Sequence, residues 1–175
     1  MRNIFLFLTL LFTISSCDKV DELTKFDLEY NSKVVVPGAT GINLPFNMLT
    51  PDMETNSESQ FEVNDTRKDL IEEIRLTKLQ MVITAPTNAD FSFLKTIEVF
   101  ISAEGLDEIK IAEKDVDENA GSTLDVDVLD IDLKEYIKKD EFNLRLNTVT
   151  DEVINEDHEI DVNSTFFVDA KIFGI

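Results

Sequence analysis

Four groups of residues have types and spacings that could do chemistry, and each falls short of a complete device. His158 is the only histidine among 175 residues and lies between Asp157 and Glu159 in an acidic run. A Ser-His-Asp or Cys-His arrangement would need it, but no strand-to-helix nucleophile turn accompanies it. The sequence therefore places it on the surface, at the start of the last strand. With one histidine and one cysteine, a zinc site rich in those ligands is excluded by count. Carboxylates are plentiful enough for a hydrolytic acid and base pair, yet the chain has no Trp and only two Tyr, Tyr30 and Tyr136, to stack on a sugar.

Asp115, Asp117 and Asn119 place oxygen ligands at the first, third and fifth positions of a loop, the spacing with which a chain wraps a calcium ion. Ala120 stands where the sharp turn wants glycine and Val126 where a bidentate glutamate belongs, so the cage is incomplete. The plainer reading is a solvated acidic hairpin loop, with calcium as the alternative. The fourth group is aromatic. Phe91 and Phe93 fall in a connection, and Phe100 and Phe167 interrupt otherwise polar strand faces. Either they plug the ends of the fold or they gather in the open as a partner-binding surface.

The most position-specific feature lies at the N-terminus. Residues Ile4–Ile14 are almost wholly apolar, with Arg2 before them and Ser15-Ser16-Cys17 after them, which is the layout of a secretory signal. At about eleven residues the apolar run is too short to cross a bilayer, which takes roughly 20. Its end, Ile14-Ser15-Ser16-Cys17, resembles a bacterial lipobox. That resemblance covers residues 1–17 and implies that the Cys17 thiol carries a diacylglycerol and that residues 1–16 are removed. Two or more acyl chains give stable anchoring where a single chain gives only marginal binding. Asp18, Asp21 and Glu22 follow closely. In Bacteroidetes-type lipoproteins early acidic residues resemble a surface-export tag, which implies the outer membrane; the proteobacterial pattern implies the inner membrane, facing the periplasm. With no second cysteine, no disulfide can form within the chain.

Composition narrows the partners. There are 36 acidic and 16 basic residues, a formal net charge of −20. A surface of that sign repels phosphate backbones, so nucleic acid is excluded. A hydrophobic share of 43% with 13 Phe argues for a folded core, not an acidic disordered tail.

These residues must be positioned by strands. Residues 17–25 read as a flexible tether, and from Phe26 the hydrophobic rhythm is two. Phe26, Leu28 and Tyr30; Ile97, Val99 and Ile101; Leu124, Val126 and Val128; and Phe142, Leu144 and Leu146 each alternate with polar or exposed positions. The longest row runs from Ile160 to Ile172; a strand over 159–172 would span roughly 45 Å at about 3.3 Å per residue, and a bend or bulge is expected near Asn163 and Ser164. Further strands are expected at 42–48, demoted to an edge by Pro45, and at 59–63, 76–84 and 108–112. Helical spacing predicts two short connectors, at 65–74 through Leu70, Ile71 and Ile74, and at 130–139 through Leu133, Tyr136 and Ile137.

One-faced strands need a second layer, and no regular β-α-β alternation supplies it. The expected fold is an all-β antiparallel sandwich of about eight or nine strands with two short connecting helices, a single domain over 26–175. It resembles the immunoglobulin-like modules that follow lipoprotein signals in envelope proteins. The expected function is a non-enzymatic, lipid-anchored envelope module that engages another envelope protein or an extracellular ligand. A calcium-dependent glycan-binding or adhesive module is the alternative.

Overall fold

The computed structural model describes residues 25–38, 43 and 45–171. Cys17, the signal at 1–16 and most of the expected tether lie outside the described residues. Among those described, nine strands run β1 (Lys25–Val36), β2 (Pro45–Leu49), β3 (Met53–Glu54), β4 (Ile71–Ala85), β5 (Leu94–Ala103), β6 (Ile109–Asp115), β7 (Thr123–Val128), β8 (Glu141–Thr150) and β9 (His158–Ala170). Two α-helices, α1 (Ser57–Val63) and α2 (Lys134–Ile137), connect them.

All pairings are antiparallel, in the order β1-β9-β4-β7-β6-β5-β8-β2, with β3 also on β8. The sheet curls into two layers through β7. Residues Thr123–Val126 of that strand pair with β4 in the first layer, while Asp127 and Val128 pair with β6 in the second. The fold is an antiparallel β-sandwich, and Pro45 does sit on a terminal strand, where its missing N–H breaks no ladder.

The period-two rows become the core. In β9, Ile160, Val162, Ser164, Phe166, Val168 and Ala170 are buried, and the intervening residues are not. From the second layer come Ile97, Val99, Ile101, Phe142, Leu144 and Leu146, all but fully buried. With a single cysteine in the chain no internal disulfide contributes, and burial at about 25 cal/mol per Å² of apolar surface is the main stabilising term.

The bend or bulge expected near Asn163 and Ser164 is absent from β9 itself, which pairs with β1 without a break from Lys25↔Asp169 to Val36↔His158. The irregularities fall on its other neighbour. Strand β4 carries one extra residue at Glu72, Thr77 and Thr84, and the hydroxyls of Thr77 and Thr84 donate to the carbonyls of Thr165 and Glu159 opposite. The first two bulges shift the buried parity of β4, from Ile71 to Ile74 and Leu76, then to Leu79, Met81 and Ile83.

Two local expectations are corrected. Residues 59–63 are the body of α1, not a strand, with Phe61 buried beneath it and against Phe26. The helix expected at 65–74 is a 3-10 turn, Lys68–Leu70, that leads into β4. The spacing of Ile71 and Ile74 that reads as helical is produced by the bulge between them. The second expected helix contracts to the single turn of α2, held by Leu133 N–H on Ile74 O at 2.7 Å.

Candidate functional site

The outer face of the second layer carries the densest set of interlocked polar side chains. Alternation puts Asn47 of β2, Asn143, Arg145 and Asn147 of β8, Glu98, Phe100 and Ser102 of β5, and Lys110 of β6 away from the core. Register makes them neighbours: Asn147 lies opposite both Asn47 and Glu98, and Arg145 opposite both Leu49 and Phe100. Phe100 in turn faces Lys110.

Arg145 is the centre. Its Nε and Nη2 donate to the carboxylate of Glu108, at 3.0 and 2.6 Å, and Nη1 donates to Asn47 Oδ1 at 2.6 Å. The guanidinium carbon lies 4.1 Å from the centroid of the Phe100 ring, a cation–π contact. Beside it Asn147 Nδ2 donates to Glu98 Oε2 at 3.0 Å, and Lys110 Nζ bridges Glu98 and Glu113. Below, Ser102 donates to Asn143, which donates to Asp52.

These partners fix protonation. Hydrogen bonds from Arg145 hold the Glu108 carboxyl below its ordinary range, against a smaller desolvation cost. Asn147 and then Lys110 do the same for Glu98. Hydrogen bonds to Glu113 and Glu98 raise Lys110. Glu98 and Glu108 are therefore anions at neutral pH and do not suit the part of a general acid, which needs a raised pKa. Further along, a groove of about 490 Å³ opens between β5, β6 and the end of β7, lined by Glu98, Glu113, Lys114, Asp115 and Asp127 among others.

The residues singled out from sequence separate. Phe100 belongs to this face. Phe167 alternates with the buried Phe166 and Val168 on β9, so it stands on the outer face of the opposite layer. Phe91 and Phe93 are 0% and 3% exposed and plug one end of the sandwich, so the four phenylalanines form no common surface. His158 is not on the surface: it is 8% exposed and lies 4.9 Å from the Phe93 ring, with Nδ1 3.0 Å from Glu156 O. It starts β9, as expected, but its flanks are exposed while it turns inward.

Asp115 ends β6, and Asp117 and Asn119 lie in the β6–β7 hairpin loop. There Asp117 Oδ1 accepts from Asn119 N–H at 2.8 Å and from Asn119 Nδ2 at 3.3 Å. That carboxylate oxygen is engaged in closing its own turn. Among the described residues no group of three or more His, Cys, Asp or Glu could hold a metal ion, and no helix is long and apolar enough to cross a membrane.

No family model matches this chain, and no curated protein matches its sequence. Solved structures match it distantly. CpGH89CBM32-5 from Clostridium perfringens, in complex with GalNAc-beta-1,3-galactose, has a TM-score of 0.36 at 12% identity over 82% of this chain and 97% of its own. The acidic stable capsid of Helicobacter pylori bacteriophage KHP30 gives 0.36 at 10% identity, over 82% and 92%. A structure of carbohydrate-binding modules from the β-sandwich superfamily gives 0.28 at 12%, over 87% and 58%. These are likenesses of outline, and the sandwich assignment stands on the strand pairing itself.

The polar face was missed from sequence because, apart from Lys110–Glu113, its contacts join residues 12 to 98 positions apart. The one signal was Phe100, an aromatic on an otherwise wet parity row.

Proposed function

We propose that this protein is a non-enzymatic, lipid-anchored envelope module, held by Cys17 to the outer membrane and presenting its sandwich to another envelope protein or an extracellular ligand. The observation that carries the reading is the lone Cys17, placed directly after Ile14-Ser15-Ser16 at the end of the apolar run. Strand β1 begins at Lys25, so seven residues, 18–24, and eight Cα-to-Cα steps separate the acylated position from the fold. Fully extended, such a segment reaches at most about 29 Å, so the domain stays close to the bilayer. An anchored module of this kind works by holding a surface at a membrane, and the pinned polar face of the second layer is the surface best built for it.

The test is mass spectrometry of the N-terminal peptide together with fractionation of cells carrying Cys17→Ala. The expected result is a diacylglyceryl-modified residue 17 and loss of the variant from washed envelopes. An unmodified thiol, or a variant that still sediments with the envelope, overturns the reading. Separating the two membranes decides the address, the inner membrane being the competing outcome.

A further inference from the structure

We infer that the outer face of the second layer, centred on Arg145, binds a neutral oligosaccharide. The inference rests on the reading of the domain as an interaction module and names the ligand class of its open face.

The first argument is an inventory of hydrogen-bonding capacity. A guanidinium has five N–H donors. Contacts to Glu108 and Asn47 engage three of them, leaving one on each terminal nitrogen. The Asn47 amide group accepts from Arg145 and keeps its own two donors, while Asn147 donates to Glu98 and keeps its carbonyl oxygen. Donors and an acceptor thus stand on adjacent strands, about 4.7–4.9 Å apart, a separation comparable to one sugar ring. They are also fixed before a ligand arrives, since the Arg145 side chain is held by Glu108, Asn47 and the Phe100 ring. Groups already ordered lose little freedom on binding.

The second argument is the apolar surface beside them. Leu49, directly opposite Arg145 in the register, is 63% exposed. A leucine next to an array of unused donors and acceptors matches a ligand with a hydroxyl edge and a C–H face. Among the described residues Leu49 is the one exposed large hydrophobic side chain on this face, with the smaller Pro45 and the half-buried Val149 further along the same parity rows, which is little apolar surface for the centre of a protein interface, built as that is from several buried aromatic or aliphatic anchors.

The third argument is charge. Glu98, Glu108, Glu113 and Asp52 are set against Arg145 and Lys110, which leaves two net negative charges on the interlocked groups of a chain whose total is −20. A polyanion is repelled by the molecule as a whole. A polycation would have to compete for carboxylates already engaged by Arg145, Asn147, Asn143 and Lys110. A neutral, polar ligand meets neither obstacle. The groove of about 490 Å³ that continues past Glu98 and Glu113 gives room for further sugar units.

The experiment titrates the full chain in detergent micelles with a panel of neutral oligosaccharides, six units long, of glucose, mannose, galactose, xylose and N-acetylglucosamine. Saturable binding of at least one is expected, weakened about tenfold or more by Arg145→Ala and by Leu49→Ala, and unchanged by Gln80→Ala on the opposite layer. Melting curves report whether each variant folds. Should Arg145→Ala unfold, Asn47→Ala, on an exposed terminal strand, takes its place with the same expected loss. Absence of binding across the panel, or binding that survives Leu49→Ala and Asn47→Ala, overturns the proposal. A photo-crosslinker at position 49 that captures a protein in intact cells also overturns it, while leaving the interaction-module reading in place.

Discussion

The phenol of Tyr30, on β1, donates to the carbonyl of Thr55, just past β3, at 3.1 Å. These two segments belong to opposite ends of the strand order, so one hydrogen bond spans the seam at which the curled sheet comes back on itself. Tyr30 also packs edge-on against Phe142 of the second layer and Phe166 of the first, at 5.1 and 5.7 Å between ring centroids. Burial pushes its hydroxyl pKa far up, so it remains a donor at any pH the fold survives. Tyr30→Phe keeps the ring and loses the bond. It should lower stability by about 1 kcal/mol, measured by urea unfolding with an unchanged m-value. No change would mean that the seam is held by packing alone.

Phe166 is the centre of the same cluster, fully buried and 5.8 Å from Phe142. Phe166→Ala should cost about 3–5 kcal/mol, the usual loss for emptying an aromatic site in a core that cannot collapse around it. Phe166→Leu should cost distinctly less. Equal losses in the two variants would show that shape at this site matters more than volume.

How far the sequence could be read depends on what kind of order each element uses. The row from Ile160 to Ala170 needs only local alternation, and it appears in β9 as expected. The β4 segment defeated the same reading because its three bulges shift the inward parity twice within 15 residues, and a shifted row such as Ile71 and Ile74 imitates a helix. Bulges are set by the partner strand, and nothing in residues 71–85 alone names β9 as that partner. Phe61 illustrates the converse: apolar residues in a short run fit strand or helix equally, and the choice was made by its burial beneath Phe26. The Arg145 face was invisible for the same reason, since Glu108 and Asn47 reach it from separate parts of the chain.

Thr148 offers a test in the stabilising direction. It is fully buried on β8, opposite Phe46 and Ile97, and its hydroxyl has no hydrogen-bond partner. An unsatisfied buried polar group costs about 1–3 kcal/mol, and an apolar group of the same shape removes that cost. Thr148→Val should therefore raise the melting temperature by about 2–4 °C for each kcal/mol recovered. A fall would reveal that the hydroxyl is hydrated or bonded in solution.

The glycine at position 105 has φ of +73° in the turn after β5, with open space around it. Here the backbone, not crowding, requires glycine. Gly105→Ala should destabilise by about 1–2 kcal/mol through the left-handed conformation alone, and Gly105→Asn, better tolerated there, by less. Equal melting temperatures for alanine and asparagine would contradict this.

The lowered pKa values of Glu98 and Glu108 fix the sign of a pH effect. A carboxyl whose folded pKa lies below its unfolded value, about 4.3 for Glu, adds stability that is present above that value. It is lost as pH falls through the folded pKa, because protonation then removes the contacts to Arg145, Asn147 and Lys110. Both side chains are about a third exposed, so solvent screening keeps each contribution small. Glu108→Gln should lower the melting temperature at pH 7, and the gap to the parent chain should narrow as pH falls below about 4. Added salt should narrow it too, since the Arg145–Glu108 pair is reached by water. A gap that widens on acidification would mean that Glu108 is held protonated in the fold, and the charge balance assigned to this face would then be wrong.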